Sequence, residues 1–138
     1  MTKDQIMQIL PHRDPMLLIE DASLDGEWGV GHYQVRGDEW FLQGHFPGKP
    51  IVPGVILCEM LAQSACVLLK DLLEPGKLPV YTGLDQVKFR SPVLPGDLVT
   101  TRCKIKRAKH PFYFAEGSVL VGDRVCVTAN FSFAITGA

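Results

Sequence analysis

The chain has no surplus of either charge. Its 14 Lys and Arg stand against 15 Asp and Glu, a net charge of −1. General affinity for nucleic acid needs a pronounced basic excess, so that class of function falls away. Cysteine is sparse, at positions 58, 66, 103 and 126, and no Cys-x-x-Cys pair occurs. Neither a zinc ribbon nor a dithiol redox motif fits those spacings. Cys58 and Cys66 lie in an apolar run, where a free thiol behaves as a small hydrophobe, so reduced buried cysteines are expected. That run, Ile51 to Leu69, approaches membrane-span length, but Pro53, Glu59 and Gln63 break it, and no membrane insertion is expected. The opening MTKDQIMQILPHRDP is too polar for a secretory signal. A cytoplasmic location is the expectation. Ser64, beside Gln63, lacks the Gly-x-Ser-x-Gly setting of a hydrolase nucleophile. Repeats, low-complexity tracts and linker-like shifts in composition are also missing, so residues 1–138 are read as one domain.

What is present is a pattern of strands around one helix. TKDQIMQIL reads as a short helix capped by Thr2, stopped by PHRDP. MLLIEDAS and EWGVGHYQV read as two strands of a hairpin turning at Asp25-Gly26, and residues 37–54 as irregular loop. From Pro53 about 18 residues follow without a strong breaker, apolar on every side, which predicts a helix buried all round. YTGLDQVKF, LVTTRCKIKRA, FYFAEGSVL and VCVTANFSFAI then supply four strands, with Gly122-Asp123 as a tight turn. Val99, Thr101, Cys103 and Ile105 form one buried face, and Val125, Val127, Ala129, Phe131 and Phe133 another. The class is α+β, a sheet wrapped round a central helix.

Glu59 stands out because a carboxylate inside an apolar run is costly unless it is used. Gln63 is four residues on, on the same helical face, placed to hydrogen-bond the carboxyl. No Lys or Arg lies between Lys49 and Lys70, and an apolar setting without a cation favours a neutral acid that can give up a proton. The alternative is a structural carboxylate satisfied from a distant strand. His45 sits between Gly44 and FPG just ahead of the helix, a side chain suited to general-base work; the plainer alternative is a surface histidine. Gly54 begins the helix, where amides have no intrahelical acceptor and can meet an oxyanion. Glu59 follows roughly 7.5 Å along the axis, at about 1.5 Å per residue. A 3-hydroxyacyl thioester fits this set. His45 takes the C2 proton, the Gly54 amide holds the enolate oxygen and Glu59 protonates the departing C3 hydroxyl. This chemistry calls for no metal and no redox cofactor.

GHFPGKPIVPGVILCEMLAQ, LPHRDPMLLIED and GLDQVKFRSPVLPGD together resemble the 3-hydroxyacyl-[acyl-carrier-protein] dehydratases of the FabZ type, across nearly the whole chain. The resemblance implies a hot-dog fold and, as catalytic pair, His45 and Glu59, with Gly54 as the helix-start glycine and Gln63 as the glutamine of the family's Glu-x-x-x-Gln pattern. Glutamate rather than aspartate on the helix resembles FabZ, not the FabA-type dehydratase/isomerase. The resemblance also implies a homodimer joined sheet edge to sheet edge, with histidine and acid from opposite subunits. Such dimers commonly gather into hexamers, as trimers of dimers. The implied partner is an acyl carrier protein bearing a 3-hydroxyacyl chain. Lys106, Arg107 and Lys109 are candidates for docking it, the plain alternative being a solvated strand face. Met16 and Leu42 stand where the family commonly has aromatics. PHRDP recurs in the family, and His12 and Arg13 are read as fixing a loop. The rival activities on this fold are an acyl thioesterase and a non-catalytic acyl-binding subunit.

Overall fold

Thr2 and Gln5 cap the first helix reciprocally. The Thr2 hydroxyl accepts from the Gln5 amide at 3.3 Å and the Gln5 side chain accepts from the Thr2 amide at 2.8 Å, which starts α1 (Lys3–Met7). The computed structural model describes residues 1–45 and 48–137; Phe46 and Pro47 of the GHFP segment lie outside them. A hairpin follows, β1 (Asp21–Asp25) and β2 (Trp28–Gln34), turning through Gly26 as expected. The first strand is shorter than its sequence suggests. Leu17, Leu18 and Ile19 are all buried, and the Leu18 amide donates to the Gln63 side chain at 2.8 Å rather than to a strand. An amide taken by a helix side chain cannot also join the sheet ladder.

Residues 35–45 and 48–53 are irregular, apart from a 3-10 turn at Trp40–Leu42. The long helix comes in two pieces, α2 (Gly54–Ser64) and α3 (Cys66–Leu69). At the join Ala65 donates to Ala62 at 3.1 Å and Leu68 to Ala65 at 2.9 Å, three-residue bonds of a tightened turn. Most of α2 is buried, as its composition predicts, whereas Val55 at its start is 70% exposed. Four strands complete the chain: β3 (Lys77–Phe89), β4 (Leu98–Lys109), β5 (Phe112–Val121) and β6 (Arg124–Gly137). All six form one antiparallel sheet in the order β1-β2-β4-β5-β6-β3. Its inner face carries Val99, Thr101, Cys103, Ala115, Val119, Val127, Ala129 and Phe131 against the helix. Val125 departs from the expected buried face. The register shifts between Val119 and Leu120, and Cys126 is buried in its place. Gly31 allows a close approach of helix to sheet: a side chain there would meet Ser64 Cβ at 2.9 Å. This is the hot-dog arrangement expected from the resemblance.

The two sheet edges differ. β1 is five residues long, and Met1 covers part of it by exchanging hydrogen bonds with Ala22 at 2.6 and 3.2 Å. β3 runs for 13 residues and exposes Val80, Tyr81, Leu84 and Phe89. A long edge strand with exposed apolar side chains is a template for pairing with another chain.

Candidate active site

Gln63 organises one half of the site. Its side chain is 2% exposed. Its amide nitrogen donates to the Glu59 carboxyl at 2.9 Å and to the Met16 carbonyl at 2.8 Å, while its oxygen accepts from Leu18. The partnership of residues four apart on one helical face is therefore formed, and the same amide ties the 16–18 segment to α2. Glu59 keeps 23% of its side chain exposed. It lines a narrow cavity of about 110 Å³ with His12, Ala62, Cys66, Leu69, Tyr81 and others. Tyr81 reaches across from β3 and donates to the Cys58 carbonyl at 2.9 Å. Burial, with the Glu59 carboxyl beside it, pushes the Tyr81 phenol far up, so it stays a neutral donor.

His12 also belongs here, which the sequence reading missed. Its Nε2 stands 3.5 Å from Glu59 Oε2. No Lys or Arg lies near Glu59 along the helix, whereas this imidazole arrives from a loop 47 residues earlier. The one available signal was its place in PHRDP. Loop-fixing is real for Arg13, whose guanidinium donates to the carbonyls of Leu10 and His12 at 3.0 and 2.8 Å.

His45 lies in a different cavity. Its Nδ1 is 2.8 Å from the Ile51 carbonyl, which can only accept. Nδ1 therefore carries the proton and Nε2 the basic lone pair. The broader cleft around it, about 540 Å³, is lined by Gly54, Val55, Leu57, Phe89, Arg90 and neighbours. Gly54 is the first residue of α2, and no larger residue fits: a Cβ there would sit 2.4 Å from the Phe89 ring. Upstream, Glu39 braces the approach to His45. It accepts from the Tyr33 hydroxyl at 2.9 Å and from the amides of Arg36 and Gly37 at 2.9 and 2.8 Å. Burial opposes its ionisation, but those donors outweigh it and hold the carboxyl below its usual range.

Within one chain, then, His45 and Gly54 share one cavity while Glu59 and Gln63 line another. Lys106, Arg107 and Lys109 line neither cavity. Lys106 stands 3.9 Å from Glu116 and Arg107 covers the Phe114 ring at 4.3 Å, while Arg90 lines the cavity that holds His45.

The profile of the FabA-like domain family matches residues 10–130. A curated relative from Alkaliphilus metalliredigens, the 3-hydroxyacyl-[acyl-carrier-protein] dehydratase FabZ, is 42% identical over 135 residues, covering 95% of this chain and 91% of its own. The protein of the same name from Thermoanaerobacter pseudethanolicus is 40% identical, covering 99% and 98%. Among solved structures, the dehydratase heterocomplex ApeI:P of Xenorhabdus doucetiae superposes with a TM-score of 0.81 at 21% identity, over 96% of this chain and 91% of that one. A thioesterase from Haemophilus influenzae gives 0.66 at 16% identity, over 86% and 78%. At such identities these structures speak for the fold alone.

Proposed function

The chain belongs to the FabA-like family, and on that footing we propose that it dehydrates 3-hydroxyacyl chains carried on acyl carrier protein, the step of fatty-acid synthesis that yields the trans-2-enoyl thioester and water. The 138 residues act as one domain, in the cytoplasm. The observation that carries the residue assignment is the division of the site between two cavities. His45 and the Gly54 amide at the start of α2 occupy one, and the Glu59 carboxyl, oriented by Gln63, occupies the other. Two copies joined along β3 complete the site when His45 of one protomer faces Glu59 of the partner subunit. The unshielded β3 edge supports that pairing, and three such dimers in a hexamer leave it unchanged.

His45 Nε2 removes the C2 proton. The electron pair moves toward the thioester carbonyl, whose oxygen gains charge against the Gly54 amide. Preorganised donors of this kind are worth about 3–4 kcal/mol of barrier. The C3–O bond then breaks as Glu59 gives its proton to the hydroxyl, and water leaves. His45 ends protonated and Glu59 ionised, so both reset through solvent before the next turnover. The apolar cavity beyond Glu59 takes the acyl chain.

Purified protein mixed with a 3-hydroxybutyryl carrier protein or its pantetheine analogue tests this. Rising enoyl absorbance is expected, and His45→Ala and Glu59→Gln each lower the rate at least about a hundredfold, as loss of a general base or acid does. Release of free thiol without enoyl product, or binding without either, contradicts the reading.

A further inference from the structure

Glu59 has two oxygens, and the structure treats them differently. Gln63 donates to Oε2 and cannot do otherwise, because its own oxygen is taken by the Leu18 amide and its second N–H by the Met16 carbonyl. His12 Nε2 faces the same Oε2 at 3.5 Å. No hydrogen bond reaches Oε1 among the described residues. His12 Nδ1 is sealed from solvent and has no partner among the described residues. A buried N–H without an acceptor is less tolerable than a bare lone pair, so the ring proton belongs on Nε2. A cationic ring would need both nitrogens protonated and would leave the buried one unsatisfied.

We infer that His12 is a positioning residue for Glu59: as the neutral Nε2–H tautomer it joins Gln63 in donating to Oε2, which leaves the transferable proton of the carboxyl on Oε1. The inference rests on the proposed role of Glu59 as general acid and adds which oxygen acts. Two donors on one oxygen make it the carbonyl-like partner of the pair, and the hydroxyl of a neutral acid must then be the other. The absence of charge on His12 matters, since an imidazolium there would favour the ionised carboxylate and unload the acid. The 3.5 Å separation is longer than a formed hydrogen bond. Contacts of this kind commonly tighten once substrate closes a site. The loop does not depend on the ring to hold its place. Lys3 pairs with Asp14 at 3.0 Å, Trp40 Nε1 donates to the Pro15 carbonyl at 3.1 Å and Gln63 holds Met16.

The test compares native protein, His12→Ala and His12→Gln by steady-state kinetics, with thermal unfolding midpoints to confirm that each variant is folded. His12→Ala should lower kcat about tenfold while KM moves less than about twofold, part of the factor a general acid supplies. His12→Gln places an amide N–H near Oε2 and should keep at least about half of native kcat, although it cannot titrate. Native kcat in His12→Ala, loss through KM alone, or equal damage in both folded variants overturns the inference. A second readout stands apart from activity. Long-range proton–nitrogen NMR at about pH 8 should show His12 as the Nε2–H tautomer, with its Nε2 signal displaced in Glu59→Gln. An Nδ1–H tautomer, or an Nε2 signal indifferent to Glu59, refutes it even if the native protein proves not to be a dehydratase.

Discussion

Under the proposed function Gly54 carries two demands at once: its amide serves the substrate oxygen, and its Cα lies against Phe89. Gly54→Ala brings a methyl to 2.4 Å from a ring carbon, so either the ring or the helix start has to move. Geometry that serves a developing oxyanion tolerates little displacement, and enoyl formation should fall at least about tenfold. A native rate in Gly54→Ala contradicts that requirement. The cysteines give a second residue-scale prediction. All four are free and buried. Burial pushes the Cys66 thiol up to about 12 and Cys103 up to about 11. The thiolate is the reactive form, so a disulfide reagent at about pH 8 should label none in the native protein and all four after unfolding. Rapid labelling of a native thiol contradicts this packing. Sequence composition already pointed to reduced thiols here, because two of the four lie in the apolar run.

At the scale of elements, the segment before His45 is held by one buried carboxylate rather than by regular structure. Glu39 is 5% exposed and gathers the Tyr33 hydroxyl with the Arg36 and Gly37 amides. Its carboxyl is held below the usual range, so its stabilising effect is fully present above the ordinary carboxylate pKa and fades as pH falls through the lower folded value. Glu39→Gln should cost about 1–3 kcal/mol at neutral pH, and the gap to native protein should shrink toward about pH 3. Urea midpoints of both proteins across that range measure it; a gap independent of pH contradicts the account. The elements themselves were largely legible in the sequence, since period-two alternation and a long apolar run are local signals. What escaped was non-local. Leu17 to Ile19 look like strand until Gln63, 45 residues beyond Leu18, takes the Leu18 amide. His12 looks like a turn residue until the fold brings it to Glu59. Neither contact has a spacing that a linear reading can detect.

For the whole molecule, the proposed pairing of His45 with Glu59 depends on assembly, a relation that spacing along one helix does not carry. The chain shields its short edge with Met1, and among the described residues no strand pairs with the outer side of the 13-residue β3, where Leu84 is 49% exposed. Charges on edge strands block pairing. Val80→Lys with Leu84→Lys should therefore sediment at the 15.3 kDa of one chain and lose activity, while native protein sediments at twice that mass or a multiple of it. An active double-lysine monomer contradicts a shared site. The most direct measurement is complementation. His45→Ala and Glu59→Gln chains, each inactive alone, are co-expressed and assayed as a mixed population. A site built from two chains is restored once in each mixed dimer, so random pairing should recover about a quarter of native activity. If each chain holds its own complete pair, mixing restores nothing, and the account fails.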